Sequence, residues 1–285
     1  MVAVAGPCLL LAAPVAALLF ALGRRWVCTS TAALLTVIGV GVQLPLFVGD
    51  NPPANTVPIR VMTANVYLGQ ADPDAIVATA TTNADLLAVQ ELTPEEADRI
   101  SKAGVGRTFP FHALDARDYA SGVGLWSRYP IVESHRVSGY ELAMVSALIH
   151  VDGVTTNPTV VVAHLSGPWP QPIDDWEGDL ERMRGTVQQV SGEANGGCVA
   201  VAGDFNSTLD MKPFRTILGK GFRDGVEQAG AGFMPTYPGN SKVPPFMAID
   251  HVLTSQCQAT SAEVATLPGS DHRALLVTVD VPRNR

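Results

Sequence analysis

The sequence predicts an α/β domain with substantial antiparallel strand pairing, preceded by an apolar helical segment at the N-terminus. Short apolar runs that are typical of buried strands recur between residues 59 and 285, and helical patterns separate some of them. By contrast, most of the first 48 residues are apolar and uncharged. The overall composition, 47% hydrophobic and only 16% charged, fits one soluble domain joined to an apolar segment.

Two apolar segments, Val2–Leu22 and Trp26–Val48, contain no charged residue. Each has about the 20 residues that a helix needs to cross a bilayer. Because only a short Gly-Arg-Arg turn separates them, residues 1–49 are predicted to form a transmembrane helical hairpin. A single span and a signal peptide are the alternatives, although a signal peptide carries its positive charge before the apolar stretch.

Charge predicts the orientation of this segment. Arg24 and Arg25 are the only charged residues within 1–49. The positive-inside bias places them in the cytoplasm. The predicted localisation is therefore the cell membrane, contacted through residues 1–49, with the rest of the chain outside the cytoplasm. A single span by the second segment gives the same orientation.

A polar stretch with three prolines, residues 50–58, is predicted to be a linker, because proline cannot continue a helix. The domain is then predicted to cover residues 59–285. With 17 basic and 26 acidic residues, residues 51–285 have a net charge of −9. This acidity disfavours a broad nucleic-acid-binding surface but leaves room for a local basic patch.

Eight short apolar runs in the domain predict strands. In chain order they are Ile59–Met62, Leu86–Val89, Val123–Trp126, Met144–Val151, Thr159–Ala163, Cys198–Ala202, Ala248–Leu253 and Ala274–Val281. Four segments between them have helical patterns. These are Pro73–Thr82, Pro94–Ala103, Trp176–Val190 and Met211–Leu218.

Polar side chains of the kinds that carry chemistry lie at or next to the ends of several predicted strands. The residues are Asn65, Glu91, His164, Asp204, Asn206, Asp250, Asp271 and His272. A strand end of this kind either turns into solvent or holds polar groups at the edge of a pocket. Groups at many strand ends can converge on one rim of a sheet sandwich.

Seven motifs follow one another through the domain. They are TANVYLG, LLAVQEL, GVGLWSRYPI, VVVAHLS, VAGDFNST, AIDHVLTS and GSDHRALLV. In this order they resemble the endonuclease/exonuclease/phosphatase (DNase I-like) superfamily, and the resemblance covers essentially all of residues 59–282. The resemblance implies a four-layer sandwich of two mixed β-sheets flanked by helices, with the active site at one rim, in a membrane-anchored member.

The resemblance also implies a metal-dependent phosphoric ester hydrolase, whether nuclease, phosphodiesterase or phosphatase. Glu91 supplies a hard oxygen ligand that suits the expected cofactor, Mg²⁺ (or Mn²⁺). Asn65 adds a neutral oxygen beside it, and Asp271 matches the position that completes the metal environment directly or through water. The metal stabilises phosphate charge as a Lewis acid.

His272 is the predicted general base, because imidazole titrates near neutrality. Asp250 matches the family position that fixes the tautomer of this imidazole and stabilises its charged form. Asp204 matches the residue that orients the attacking water or protonates the leaving oxygen. Asn206 and His164 are suited to donate hydrogen bonds to phosphate oxygens.

The neighbour of Asp250, His251, is not assigned to the site. Successive side chains on a strand point to opposite faces. If Asp250 faces the rim, His251 is expected to point away from it.

The implied substrates are phosphate esters outside the cytoplasm: nucleic acid, phospholipid head groups or phosphorylated metabolites. The sequence indicates no protein partner. The alternative is a non-catalytic module on the same fold that binds a phosphorylated ligand or a protein. Taken singly, each site residue also has a structural interpretation, such as a turn former or a helix cap, and it is the ordered set that favours an enzyme.

Cys198 and Cys257 are expected to form a disulfide. If the GDFN strand runs into the rim and the IDHV strand runs out of it, the two cysteines lie at similar distances from the rim on neighbouring strands. An extracytoplasmic location permits such a bond. Two free buried thiols are the alternative.

Overall fold

The computed structural model describes residues 12–169, 171–219 and 221–283, which contain two six-stranded sheets with helices on their outer faces. The strands are β1 (Thr56–Asn65), β2 (Leu86–Gln90), β3 (Phe111–Asp115), β4 (Val123–Ser127), β5 (Ile131–Arg136), β6 (Val145–Ile149), β7 (Thr159–His164), β8 (Val199–Asp204), β9 (Arg223–Asp224), β10 (Asp250–Ser255), β11 (Gln258–Thr266) and β12 (Arg273–Pro282). The described helices are α1 (Ala12–Leu22), α2 (Trp26–Gln43), α3 (Pro73–Asn83), α4 (Pro94–Lys102), α5 (Ile173–Glu193), α6 (Lys212–Arg215) and α7 (Gly225–Ala229). Short 3₁₀ turns lie at Leu44–Phe47, Val105–Arg107 and Tyr119–Ser121.

Both sheets are mixed. The first has the strand order β11-β12-β1-β2-β4-β3, and only β1 and β2 are parallel neighbours. The second has the order β5-β6-β7-β8-β10-β9, and only β7 and β8 are parallel. A helix connects the strands of each parallel pair, α3 in the first sheet and α5 in the second, as parallel pairing requires.

Three apolar layers hold the sandwich together. The central layer lies between the sheets and includes Val61 of β1 and Val162 of β7. A second layer packs α5 and α6 on one sheet, and a third packs α3 and α4 on the other. The two sheets and the helices on their outer faces form a four-layer sandwich, so the predicted fold class is confirmed.

Strands inside each sheet are buried on both faces, which explains their continuous apolar sequences. In β1, for example, Val61 faces the central layer while Met62 faces the helices, and both are almost fully buried. In β8, Ala202 faces the central layer while Val201 faces the helices. Every one of the eight predicted strands corresponds to a strand in the structure.

Four strands were not predicted, namely β3, β5, β9 and β11. Each of them lies at an edge of its sheet. Their residues are largely exposed or alternate in burial, so they lack the continuous apolar run used for prediction. The sequence pattern therefore found the sheet interiors and missed their edges.

The N-terminal segment contains one described helical stretch, Trp26–Phe47, that is long and apolar enough to cross a membrane. Its length and composition suit a membrane anchor and also a signal peptide. The helix before it, α1, has 11 described residues and contacts α2. Residues 1–11 of the predicted hairpin lie outside the described residues, so the hairpin and its orientation stay predictions.

The start of β1 differs from the predicted linker boundary. The strand begins at Thr56 instead of Ile59, and it pairs with β12 from the register Thr56↔Pro282 onward. Pro58 lies in this pairing at an exposed position. Because proline was interpreted as a linker signal, the first three residues of the strand were missed.

The expected disulfide is confirmed. Cys198 and Cys257 are joined by an S–S bond of 2.04 Å, with their Cα atoms 5.2 Å apart. The pairing of Ser255 in β10 with Val199 in β8 brings the flanking cysteines together at the end of the sheet away from Asp204 and Asp250.

Candidate active site

Strand directions bring the predicted site residues to one rim of the sandwich. The parallel strands β1 and β2 end together, with Asn65 opposite Gln90, just before Glu91. In the other sheet, β7 and β8 end together at His164 and Asp204. Because β10 runs antiparallel to β8, its first residue lies beside the last residue of β8.

A buried histidine–aspartate pair lies at this rim. Nδ1 of His272 is 2.8 Å from Oδ2 of Asp250, and both side chains are almost completely buried. An ionised carboxylate only accepts hydrogen bonds, so Nδ1 carries the proton and donates it to Asp250. Nε2 of His272 lies 3.7 Å from Oδ2 of Asp204 and makes no hydrogen bond with a described residue.

The carboxylates around His272 control its protonation. Burial alone lowers the pKa of His272, but the negative charges of Asp250, Asp204 and Asp271 outweigh it and raise the pKa to about 10. A positive charge held among the same carboxylates would offset them and bring this pKa down. A neutral imidazole at neutral pH thus calls for a cation at the rim.

Asp204 connects the two sheets. Its Oδ1 accepts a hydrogen bond from the backbone nitrogen of Asn206 at 2.8 Å, and its Oδ2 accepts one from Nδ2 of Asn65 at 3.1 Å. Nε2 of His164 lies 3.8 Å from the same Oδ2. Burial raises the pKa of Asp204, while the adjacent histidines oppose that shift.

The carboxylate of Glu91 is held by groups from the end of β1. Its Oε1 accepts a hydrogen bond from Nδ2 of Asn65 at 3.0 Å, and its Oε2 accepts one from the backbone nitrogen of Leu68 at 2.7 Å. The side-chain oxygen of Asn65, Oδ1, accepts a hydrogen bond from the backbone nitrogen of Tyr67 at 2.9 Å. Asn65 thus turns its amide nitrogen to the carboxylates, and the predicted use of its oxygen as a metal ligand stays a prediction.

Several residues at the rim have left-handed backbone conformations. The φ angles are 56° at Glu91, 48° at Asn206, and 49° and 53° at Tyr67 and Leu68. Non-glycine residues avoid this region, and such conformations cluster at functional sites. The strands therefore end in sharp turns that direct polar groups to one place.

Asp271 carries a half-buried carboxylate that interacts electrostatically with Glu91. Burial chiefly raises the pKa of Asp271 to about 6; the charge of His272 opposes this shift, and the nearby charge of Glu91 adds to it. Oδ1 of Asp271 is buried and accepts no hydrogen bond from a described residue. Two carboxylates close to each other, with an unpaired buried oxygen, fit a hard divalent cation such as Mg²⁺.

A second group of possible ligands lies beside them. Asp204, Asp250 and His272 offer ligand atoms that all lie within 4.8 Å of one another. However, Asp250 and His272 already bond each other at 2.8 Å. That bond favours a histidine–aspartate pair at this position, and the predicted assignment of Glu91 and Asp271 as cation ligands stays a prediction.

Asn206 and His164 lie at the same rim, as predicted. Nδ2 of Asn206 donates one hydrogen bond to the carbonyl oxygen of Leu165 at 2.9 Å, which leaves its second N–H available. Nδ1 of His164 is buried and makes no hydrogen bond within the part of the chain that the structure describes. Their role as donors to phosphate stays a prediction.

Three further residues contribute to the site and were not predicted. Oγ of Ser270 donates to the carbonyl oxygen of Asn65 at 2.7 Å and accepts from the backbone nitrogen of His272 at 2.9 Å. Oγ1 of Thr236 accepts from the backbone nitrogen of Asp250 at 3.3 Å. The ring of Tyr237 packs on that of His272, with centroids 5.0 Å apart. Ser270 lies inside the GSDH motif, whereas Thr236 and Tyr237 lie in a loop without a recognisable pattern.

Comparisons with known proteins agree with this architecture. The family model described as "Endonuclease/Exonuclease/phosphatase family" matches residues 62–272, which include every predicted site residue. A search of curated proteins finds no significant match.

Solved structures show the same fold at low sequence identity. An endonuclease/exonuclease/phosphatase from Bacteroides vulgatus is 15% identical, with a TM-score of 0.64 over 79% of this chain and 99% of that one. Truncated Caenorhabditis elegans TDP2 is 16% identical, with a TM-score of 0.63 over 78% and 97%. D. rerio TDP2 in complex with a single-strand DNA product is 16% identical, with a TM-score of 0.62 over 78% and 98%.

Proposed function

We propose that this chain, which belongs to the endonuclease/exonuclease/phosphatase family, is a divalent-metal-dependent phosphoesterase that acts outside the cytoplasm with His272 as general base. Members of this family are in general hydrolases of phosphate esters. The bond it cleaves is a phosphodiester or a phosphomonoester.

The observation that carries the proposal is the buried pair of His272 and Asp250 next to Asp204. Asp250 holds the proton on Nδ1, which leaves the lone pair of Nε2 to accept a proton from water. Asp250 also stabilises the imidazolium that results. Asp204, 3.7 Å from Nε2, is placed to orient that water or to protonate the leaving oxygen.

Glu91 and Asp271 would hold the cation, Mg²⁺ or Mn²⁺, with Asn65 orienting Glu91. When bound, the cation stabilises the negative charge that develops on the phosphoryl oxygens. Asn206 and His164 lie beside Asp204 and donate hydrogen bonds to the same oxygens in this proposal. Their N–H groups are part of the folded site, so they need no reorganisation during the reaction.

The extracytoplasmic location has two supports. The only charged residues of 1–49 are the arginines between the two apolar segments, which favours a cytoplasmic turn. The disulfide between Cys198 and Cys257 is of the kind that persists in oxidising compartments. We therefore place the catalytic domain on the outer side of the cell membrane.

The candidate substrates are nucleic acid, phospholipid head groups and phosphorylated metabolites. One structural neighbour, the D. rerio protein, holds a single-strand DNA product. In this chain, residues 51–285 have a net charge of −9, which disfavours an extended grip on duplex DNA.

The direct test is hydrolysis of bis-p-nitrophenyl phosphate by the full-length protein with Mg²⁺ or Mn²⁺. We expect turnover by the wild type, loss of turnover with EDTA, and a fall of about 10²–10⁴-fold in His272→Ala. His135→Ala is the matched control, because His135 is exposed on the edge strand β5. Equal turnover in wild type and His272→Ala would overturn the proposal and favour a binding module.

A further inference from the structure

A cavity of about 350 Å³ lies where the N-terminal helical segment meets the catalytic domain. Ligand pockets in proteins typically measure about 300–1,000 Å³. Its apolar walls come from both sides of this junction. They include Val42 and Leu46 from the N-terminal segment, and Leu218, Val226, Met234 and Phe246 from the domain.

The N-terminal wall of this cavity is fixed to the domain. The backbone nitrogen of Gly232 donates to the carbonyl oxygen of Leu46 at 2.6 Å, and that of Asp50 donates to Gln228 at 2.9 Å. The side chain of Asp50 also pairs with Arg223. A Cβ atom added at Gly230 would lie 2.1 Å from the backbone nitrogen of Gly49, so the backbones of the two segments are in direct contact. The cavity is thus a built feature of the junction.

Most charged groups in the lining are already paired within the protein. Asp224 accepts hydrogen bonds from two backbone nitrogens at the start of α7 and pairs with His251. Arg215 donates to the carbonyl oxygen of Leu209 at 2.7 Å, and Asp210 is hydrogen-bonded to Gln43. What remains for a ligand is apolar surface, and Asp210 and Glu227 in the lining disfavour an anion inside it.

Apolar residues continue from the cavity to the outside. Leu44, Phe47 and Val48 are each more than half exposed immediately after α2, and Phe233 in the cavity lining is 39% exposed. If α2 crosses the bilayer, these residues lie at the membrane surface on the side of the domain. They would then offer a hydrocarbon chain an apolar surface between the bilayer and the cavity lining.

The cavity and the active site share structural parts. Asp250 lines the cavity and also bonds Nδ1 of His272. The loop over residues 231–249 places Met234 and Phe246 in the cavity wall, while Tyr237 in the same loop packs on the ring of His272. An occupant of the cavity would therefore contact a loop and a carboxylate that also contact His272.

We infer that this cavity holds a hydrocarbon chain of a membrane lipid, and that the preferred substrate of the rim is a phosphate ester carrying such a chain. The second part rests on the proposed function. Burial of the chain against apolar walls supplies binding free energy in proportion to the area removed from water. Soluble phosphate esters lack that contribution.

Binding is tested with the full-length protein in phosphatidylcholine vesicles that contain a phosphatidylcholine with a diazirine on one acyl chain. After irradiation, we expect labelled peptides from the cavity walls around Leu218 and Met234, in addition to α1 and α2. Leu218→Trp fills the cavity and should lose most of the wall labelling. Val243→Trp is the matched control, because Val243 is 56% exposed in the same loop and does not line the cavity.

A second variant, Leu46→Trp, fills the cavity from the opposite wall and provides an independent test if Leu218→Trp does not fold. Circular dichroism checks that both variants are folded. Labelling confined to α1 and α2 in the wild type, or wall labelling unchanged in both folded tryptophan variants, would overturn the inference. His272→Ala should label like the wild type, so a failure of the proposed catalysis leaves this result intact.

Substrate preference is tested with two chromogenic phosphodiesters, dodecyl p-nitrophenyl phosphate and methyl p-nitrophenyl phosphate. The wild type should have the higher kcat/KM for the dodecyl ester, and Leu218→Trp should lose that preference. Equal kcat/KM for the two esters in the wild type would contradict a lipid substrate, whereas absence of turnover with both would contradict the proposed function itself.

Discussion

Two histidine–aspartate pairs lie back to back on strand β10. On one face, Asp250 bonds Nδ1 of His272 at 2.8 Å. On the other face, His251 bonds Asp224 through Nδ1 at 2.7 Å. All four side chains are buried, and Asp250 of one pair is next to His251 of the other in the sequence.

The pairs differ in what the second ring nitrogen meets. Nε2 of His251 donates to the carbonyl oxygen of Ser207 at 2.8 Å, so both of its nitrogens face acceptors and the ring is held as an imidazolium. It also stacks on Phe214, with centroids 4.4 Å apart. Nε2 of His272 has no such partner among the described residues. The His251 pair therefore has both ring nitrogens bonded, whereas the His272 pair leaves Nε2 for the proposed proton transfer.

The largest expected effect separates the two pairs by activity. Asp250→Asn should lower kcat/KM for bis-p-nitrophenyl phosphate by about 10²–10⁴-fold, because the amide no longer holds the proton on Nδ1 of His272. His251→Gln, measured on folded protein, should stay within about tenfold of the wild type, a difference of about 1.4 kcal/mol. Steady-state kinetics at saturating Mg²⁺ give both values. If the two variants lost activity to the same extent, the functional distinction between the pairs would be wrong.

The second effect separates the pairs by stability. His251→Gln should lower the free energy of unfolding by about 1–3 kcal/mol, because the carbonyl of Ser207 and the carboxylate of Asp224 lose a buried donor. Urea denaturation measures this loss, and Cm should fall with little change in m. At saturating Mg²⁺, whose charge would offset the carboxylates around His272, His272→Gln removes only one hydrogen bond, so its loss should be smaller. A larger loss in His272→Gln would break the comparison.

Prediction from sequence succeeded where burial dictates residue type. Strand interiors such as β8 must be apolar on both faces, so their runs are visible without any structure. The edge strand β5 is exposed along most of its length, and its residues follow no apolar pattern. Edge strands owe their conformation to one neighbour in the sheet, which the local sequence does not encode.

The site shows the same division. Asp204, Asp250 and His272 lie in motifs whose order along the chain identifies them, and the structure brings them together. Thr236 and Tyr237 come from a loop that folds back on the rim through tertiary contacts alone. The resemblance pointed to a pocket edge, but only coordinates reveal which loop closes it.

A cation should act on one pair and leave the other unchanged. Mg²⁺ should raise the Tm of the wild type, since a ligand that binds only the folded state stabilises it by about 2.7 kcal/mol at a hundredfold excess over Kd. Asp271→Asn should reduce this shift, because it removes one of the two proposed carboxylate ligands. Differential scanning calorimetry with Mg²⁺ and with EDTA measures the difference. An undiminished shift in Asp271→Asn would place the cation elsewhere.

His251→Gln is the matched variant for this measurement. It lies on the opposite face of β10, so its Tm should be lower throughout while the shift caused by Mg²⁺ remains that of the wild type. A reduced shift in this variant would mean that the two faces are coupled.

The last effect is a pH dependence of stability. The pKa of both His272 and His251 is raised in the folded protein, to about 10 for His272. A histidine with a raised pKa stabilises the fold fully below its unfolded pKa of about 6.5, and that contribution is lost as the pH rises through the folded pKa. In EDTA, the free energy of unfolding should therefore fall between about pH 6.5 and 10.

Bound Mg²⁺ would offset the carboxylates around His272 but not Asp224. The fall that remains should therefore come from His251 and vanish in His251→Gln. Urea titrations across this range test it, and a fall of equal size with Mg²⁺ and with EDTA would show that the cation does not reach His272.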